Sequence, residues 1–370
     1  MIYTHPLVNY FNSNNDNEIL LQELKKHNII YKKQGDLCIF KYTDKSKHGT
    51  ILNRFCRGVI INLNTNQLLC SSIDGDISYE DFKDNVPLKY CVIEENIDGT
   101  LLNAYYYNNR WNISTKFSID AHDSRFRGDK TFRQLFDKYI NLNKLSLDTK
   151  YTYSFVLKKN DYTLYNKDEK SEIFHIESTN NINGEKISIN LGISKPKILY
   201  YNNYNEIMDI NSYDDLSNYL NNLNWNNKGY MLYSRDRKFR CSLVNPNYLK
   251  VQSLLEDQND INFICFKSYY YKKNKDEILK YFPEYVDNYI NVTKLFERLL
   301  TYTLNLYKDI KCFHKKREIP IHLEKSIRKI HQIYKENVIN NPSFRIERLD
   351  VKDYFLSLDV NLLYTLINQY

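Results

Sequence analysis

Three groups of side chains in this sequence could carry chemistry. One is the turn Asn96-Ile97-Asp98-Gly99, with its amide and carboxylate. Another is Asp74-Gly75-Asp76, two close carboxylates that could hold a divalent cation or simply face water in a loop. The third is a series of cations, Arg54, Arg57, Lys89, Lys116, Lys228 and Arg240, with Ser242 two residues past the last. Such cations suit phosphates, and as a bland alternative they form a solvated basic face. Cys312, His314 and His322 could approach a metal on paper, but their lysine-flanked setting reads as surface. The sequence has no Gly-x-Gly-x-x-Gly, no Walker lysine loop, no His-Glu-x-x-His and no Gly-x-Ser-x-Gly.

The elements that must position these groups are mostly short β runs. Cys91-Val92-Ile93 leads into the Asn96 turn and Leu101 to Tyr107 leads out, which reads as strand, tight turn, strand, with Gly99 at a positive φ. Such Asp-Gly hairpins are common and need no function. Further strands are expected at Cys38-Ile39-Phe40, Val59-Ile60-Ile61, Leu68-Leu69-Cys70, Trp111 to Ile119, Tyr151 to Leu157, Ile173 to Glu177, Gly229 to Tyr233 and Lys238 to Leu243. A polar stretch from Asn12 to Asn17 precedes a helical pattern ending in Lys25-Lys26, and a second helix is expected within Thr131 to Leu147. From about Asn245 the alternation stops. Lys267 to Lys280 is basic and tyrosine-rich, and 3.6-residue spacing predicts helices around Val292–Thr303, Leu323–Val338 and Val351–Leu366, with Asp350 or Asp359 as caps. The expected organisation is α+β over residues 1–250 and all-helical over residues 251–370.

A chain of 370 residues, 42% hydrophobic and 15% aromatic, can bury a sizeable core and is not a disordered protein. Its net charge of +7 is compatible with a polyanionic partner without requiring one. The seven cysteines lack any pairing rhythm, which suits reduced, buried thiols. Neither a secretory leader nor a run of 18 apolar residues is visible, so a soluble cytoplasmic protein without membrane contact is expected. The abundance of Asn, Lys, Ile and Tyr with only 9 Gly points to an AT-rich genome of viral or plasmid type.

Taken in order, several of these segments resemble the motifs of phage-type tRNA-repair RNA ligases, members of the covalent nucleotidyltransferases. Cys56-Arg57-Gly58 before an apolar strand, Asn96-Ile97-Asp98-Gly99-Thr100, Thr115-Lys116, Phe155-Val156, Lys228-Gly229-Tyr230 and Phe239-Arg240 are similar to that family in order and spacing. The resemblance covers roughly residues 37 to 250 and implies antiparallel nucleotidyltransferase sheets with flanking helices, followed by a helical domain linked to tRNA preference. In the family the Asn96 position is a lysine whose amine attacks the α-phosphate. An amide nitrogen is delocalised into its carbonyl and cannot do so. Val156 stands where a glutamate would meet the ribose, Lys228 where a glutamate would meet metal or substrate, and Ser242 where a second lysine would neutralise phosphate. The glycine after the Lys116 position is Phe117. A lysine for a glutamate reverses a charge at a cation site, against metal-assisted transfer.

The resemblance therefore implies a pseudoenzyme with no catalytic residue and no cofactor. The retained RNA- or nucleotide-binding candidates are Arg54, Arg57, Asp98, Lys116, Lys228 and Arg240, with tyrosines of the helical part stacking on unpaired bases. The expected partner is RNA, tRNA near its anticodon loop, and the expected role is immunity against an anticodon-nuclease toxin. Two alternatives remain open: an active, divergent ligase using another lysine such as Lys89 or Lys116, and an adaptor that binds the ribonuclease toxin directly.

Overall fold

The structure is a computed structural model and describes residues 5–13, 16–43, 45, 51–125, 130–158, 172–187, 189–201, 210–255 and 260–369. Asn14 and Asn15, within the polar stretch noted above, lie outside the described residues. The chain divides into two compact units, Met1–Leu249 and Lys250–Tyr370.

The first unit holds three antiparallel sheets. One is made of β1 (Ile29–Gln34), β2 (Leu37–Tyr42), β3 (Arg57–Asn62) and β4 (Gln67–Cys70) in that order. β2 and β3 carry continuous apolar runs because both faces are covered there. Cys38, Phe40, Val59 and Ile61 meet Leu7, Phe11, Leu20, Leu21 and Leu24 of the helices Pro6–Asn12 and Asn17–Lys26. Leu37, Ile39 and Ile60 turn the other way, toward Tyr105 and Ile119.

The remaining strands are β5 (Cys91–Glu95), β6 (Thr100–Tyr107), β7 (Arg110–Thr115), β8 (Tyr151–Lys158), β9 (Glu172–Asn180), β10 (Lys186–Ile187), β11 (Ile198–Tyr201), β12 (Gly229–Ser234) and β13 (Arg240–Val244). They form a five-stranded sheet, β10-β9-β8-β6-β7, and a four-stranded sheet, β11-β5-β12-β13. In the five-stranded sheet Leu102, Ile113 and Phe155 pack on Phe132, Leu135 and Phe136 of the helix Phe132–Tyr139. Thr131 and Gln134 cap that helix reciprocally: Gln134 N donates to Thr131 Oγ1 (3.2 Å) and Thr131 N to Gln134 Oε1 (2.9 Å). The opposite face is polar, with buried Asn103 accepting a hydrogen bond from Ser154 Oγ at 2.8 Å.

The structure corrects the hairpin expected at residues 91–107. β5 and β6 do not pair; they belong to different sheets, and residues 96–99 carry the chain from one sheet to the other. Gly99 is not at a positive φ either. Its requirement is steric: a Cβ there would lie 2.4 Å from Leu157 O and 2.7 Å from Val156 Cγ1. The strand expected over Trp111–Ile119 ends at Thr115, which leaves Lys116 on the bend that follows.

The regular elements among the second unit's described residues are all helical, chiefly Ile261–Tyr271, Lys275–Tyr281, Val286–Lys311, Ile321–Asn340, Arg348–Leu356 and Val360–Asn368, preceded by the end of Pro246–Leu255. Phe266 forms its hub, with ring centroids 6.2 Å from Phe296 and 5.6 Å from Tyr364. The single helix expected over Val351–Leu366 is two, and Asp359 caps the second by accepting from Asn361 N and Leu362 N. Among the described residues no helix is long and apolar enough to cross a membrane.

Candidate functional site

Alternation along the strands decides which side chains face the gap between the second and third sheets of the first unit. On β5, Cys91 and Ile93 enter a core with Phe82 and Leu216, so Glu94 points the other way. The same parity sends Met231, Tyr233, Arg240 and Ser242 to Glu94's side. From the crossover comes Gly99, and from the five-stranded sheet Leu101, Val156 and Ile176. The result is one cavity of ≈ 190 Å³.

Asn96, Val156, Lys228 and Ser242, scattered over 147 positions of sequence (96 to 242), all line this cavity, together with Arg57 and Arg240. Asn96 is buried; its Nδ2 donates to Ser242 Oγ at 2.9 Å and its backbone N to Gly229 O at 3.0 Å. Lys228 Nζ lies 3.2 Å from Asp98 Oδ1, and the Tyr248 hydroxyl donates to Asp98 Oδ2 at 2.9 Å. Asp98 thus serves as an anchor for Lys228 with both oxygens engaged. Gly229 has φ +124°, and a Cβ there would lie 2.1 Å from Leu243 O, so no other residue fits beside Lys228.

Arg54 and Lys116 are not among the lining residues. Arg54 donates from Nη2 to Lys238 O at 2.9 Å and stacks on Phe239, its Cζ 5.6 Å from the ring centre. Lys116 Nζ sits 5.1 Å over the Tyr42 ring. Lys89 is placed likewise over Tyr90, at 5.0 Å. Among the described residues Lys228 is the lysine that lines the cavity, and Lys89 and Lys116 are not part of its lining.

Sequence reading missed a web of buried charge behind the cavity. Glu94 is bonded to Arg237, which also lies 3.7 Å from Glu177 and has its guanidinium 4.2 Å from the Tyr233 ring centre. Burial raises the Glu94 carboxyl above its usual range, Arg237 pulls it back, and Glu177 adds to the rise. Arg240 Nε donates to Asp76 Oδ1 at 2.6 Å; burial alone would lower its pKa, but Asp76, Tyr233 and Glu177 hold the guanidinium firmly charged. Arg57 lies 4.0 Å from Asp76, and Lys186 bonds Asp74. The two carboxylates weighed as a cation site are therefore each held by a basic side chain. Among the described residues no cluster of three or more His, Cys, Asp or Glu could hold a metal. Glu177, a charge closing the apolar run Ile173 to Ile176, was the one signal of this network in the sequence.

The lining carries Arg57, Lys228 and Arg240 against Asp76, Glu94 and Glu95, a balance of charges and not a basic trench. Its volume falls below the roughly 300–1,000 Å³ of typical small-molecule sites. Six cysteines are buried and Cys312 is exposed. Burial pushes the Cys38, Cys70, Cys91, Cys241 and Cys265 thiols up to about 12, so these are packing groups and not nucleophiles.

No protein-family model matches the chain. An RNA ligase of Rhodothermus phage RM378 is 25% identical over 236 residues, 53% of this chain and 53% of that protein. A putative bifunctional polynucleotide kinase/RNA ligase of Autographa californica nuclear polyhedrosis virus is 23% identical over 280 residues, 68% of this chain and 38% of that protein. The chain thus spans about half the length of the first of these relatives and less of the second. Among solved structures, a putative ATP-dependent DNA ligase from Aquifex aeolicus aligns over 80% of this chain and 76% of its own with TM-score 0.40 and 12% identity. An apo RNA ligase of Naegleria gruberi aligns over 46% and 53% with TM-score 0.35 and 8% identity. In sequence, this chain is a relative of viral proteins named as RNA ligases.

Proposed function

We propose that this protein binds RNA without joining it: an RNA-ligase-like chain in which the nucleotide-handling cavity has been turned into a structural joint. The observation that carries this reading is the pair of contacts inside one cavity, Asn96 to Ser242 and Lys228 to Asp98. An amide that donates to a hydroxyl and an ammonium that neutralises the turn's carboxylate tie the crossover turn to β13 and to the start of β12. Neither supplies a nucleophile, and Lys228 brings positive charge where a catalytic cation would have to enter. RNA as the partner is supported by the names of the viral relatives and by the net charge of +7. Within this reading the RNA is a tRNA near its anticodon loop, the setting is the cytoplasm, and the consequence is protection against an anticodon nuclease.

Incubation with α-labelled ATP or GTP and magnesium, followed by denaturing gel, tests the loss of chemistry. The expected result is an unlabelled protein; a covalent adduct overturns it. Gel shifts with intact and nicked tRNA across a salt series test the RNA. Binding that weakens steeply with salt is expected, and absence of binding at low salt favours the adaptor reading, in which the protein meets the toxin directly. One position serves the active alternative: Lys195, exposed and next in sequence to the cavity residue Pro196. An adduct abolished by Lys195→Ala identifies that lysine as the displaced nucleophile.

A further inference from the structure

The second unit has a cavity of its own, ≈ 360 Å³, walled by Leu254, Leu255, Ile264 and Ile278 and rimmed by Lys267, Ser268, Tyr271, Lys273 and Asn274. Its construction differs from an accidental gap. Helix Ile261–Tyr271 stops at Lys272 in the left-handed region (φ 53°), and Asn274 repeats that conformation (φ 62°) before helix Lys275–Tyr281 starts. Lys273 is clamped between these two residues from both sides. Its N donates to Ser268 O (3.1 Å), and Ser268 Oγ donates to its carbonyl (2.5 Å). The Lys273 backbone is thereby fixed at the cavity mouth, and the residue is exposed.

Two further features stand at the same rim. Tyr271 keeps 49% of its surface exposed, and its ring is braced edge-on by Tyr270 at 4.8 Å. Tyr270 itself is committed to structure, its hydroxyl donating to Leu358 O at 2.6 Å. Asn274 occupies an N-cap position but makes no side-chain capping bond, so its amide is not spent on the helix. Lys267 and Lys273 line the mouth without an acidic residue beside them in the lining, Lys272 and Lys275 flank Lys273 and Asn274 in sequence, and Glu277 is paired with Lys250 at 2.6 Å.

A floor of aliphatic side chains, one available aromatic face, an amide and an excess of lysine describe the complement of a flat, hydrogen-bonding apolar body joined to phosphates. We infer that this cavity receives one unpaired nucleotide of a single-stranded RNA segment, with the base over the aliphatic floor against Tyr271, its edge toward Asn274 and the flanking phosphates on the lysines led by Lys273. An acyl anion would match the floor and a lysine, but not the amide or the aromatic face. The assignment rests on the proposal that the chain binds RNA, and it specifies where and in what form.

The test uses the full chain, a short single-stranded oligoribonucleotide carrying 4-thiouridine, and the same strand annealed to its complement. The expected result is a photo-crosslink within residues 264–278 to the single strand. Tyr271→Ala, at an exposed position whose folding is checked by circular dichroism, abolishes the crosslink and weakens binding by roughly tenfold or more, whereas Tyr271→Phe retains both. Lys273→Glu weakens binding and lowers the salt slope by about one. Crosslinks confined to residues 5–249, unchanged affinity in Tyr271→Ala, or a duplex that binds as tightly as the single strand each overturn this site while leaving RNA binding in place. Absence of any RNA binding at low salt overturns both. Protection of Lys273 from a lysine-acylating probe by laurate and not by the oligonucleotide assigns the cavity to an acyl anion and also overturns it.

Discussion

Two cavities of this protein use the same ingredients to opposite ends. In the first unit, Lys228, Arg57 and Arg240 face Asp98, Asp76 and neighbouring glutamates, and the charges are consumed where they stand. In the helical unit, Lys273 is held at a rim by its backbone and Asn274 leaves its amide uncommitted. A charged lining by itself does not indicate a ligand. What distinguishes the two is whether the protein has already supplied the counter-charge. Changes in the first cavity should therefore appear as stability, and changes in the second as affinity for RNA.

The largest expected effect tests the first half of that statement. Arg240→Leu removes the buried, hydrogen-bonded partner of Asp76 and is expected to cost about 3–5 kcal/mol, read from the denaturant midpoint, because the half-buried carboxylate keeps only the longer contact to Arg57 at 4.0 Å. Asp76→Asn in the same chain should recover a substantial part. Full stability of the single variant would break the contrast between the cavities.

Next is Gly229→Ala, beside Lys228. Its Cβ would meet Leu243 O at 2.1 Å with φ at +124°, and a loss of about 3 kcal/mol is expected. Gly35→Ala separates strain from collision: φ is +58° there and nothing lies within 4 Å, so about 1 kcal/mol is expected. Equal costs at the two glycines would remove the close approach of strands as the reason for Gly229.

Acid comes third. Burial lowers His5 to about 3, Lys186 adding to the effect, and burial lowers His175 to about 4. Both are neutral when folded and bind a proton on unfolding at the ordinary value of 6.5. The unfolded chain therefore holds more protons, and stability present above pH 6.5 is lost as pH falls toward the folded values. Each contributes a slope of about 1.4 kcal/mol per pH unit within that window. His5→Asn, which can still cap helix Pro6–Asn12, should remove one share of the slope in pH-dependent urea titrations.

The smallest effect is expected of Lys228→Met. The pair with Asp98 is about one-third exposed on each side and Tyr248 still holds the carboxylate, so about 0.5–1 kcal/mol is at stake in thermal or urea unfolding. A much larger loss would make Lys228 a central strut of the first cavity and sharpen its difference from Lys273.

Much of the architecture was legible because hydrophobic patterning is local. The strands around Cys38–Phe40, Val59–Ile61 and Tyr151–Leu157 and the helices around Val292–Thr303 and Leu323–Val338 stand where their periodicity puts them. The misreadings came where two solutions share one local signal. Asp98-Gly99 after an apolar strand suits a hairpin and a crossover equally well, and only the pairing of β5 with β11 and β12 chose the crossover. Gly99 is required by the closeness of Leu157, a contact 58 residues away in sequence (157 − 99), and not by its own backbone angle. Among the binding candidates, Arg57, Lys228 and Arg240 reached the cavity, whereas Arg54 and Lys116 were taken up by aromatic rings and a carbonyl.

By itself the sequence determined the order of strands and helices, the change of character near residue 250, and the identity of the side chains at Asn96, Val156, Lys228 and Ser242. Those properties depend on periods of two and 3.6 and on covalent chemistry, which neighbours along the chain suffice to set. Tertiary structure alone decided that these four line a common wall, that Lys228 meets Asp98 and Asn96 meets Ser242, and that Lys273 stands fixed at a rim. Charge pairing and close packing act between residues whose separation in space the sequence does not state, so the partner of each cation had to be found in three dimensions.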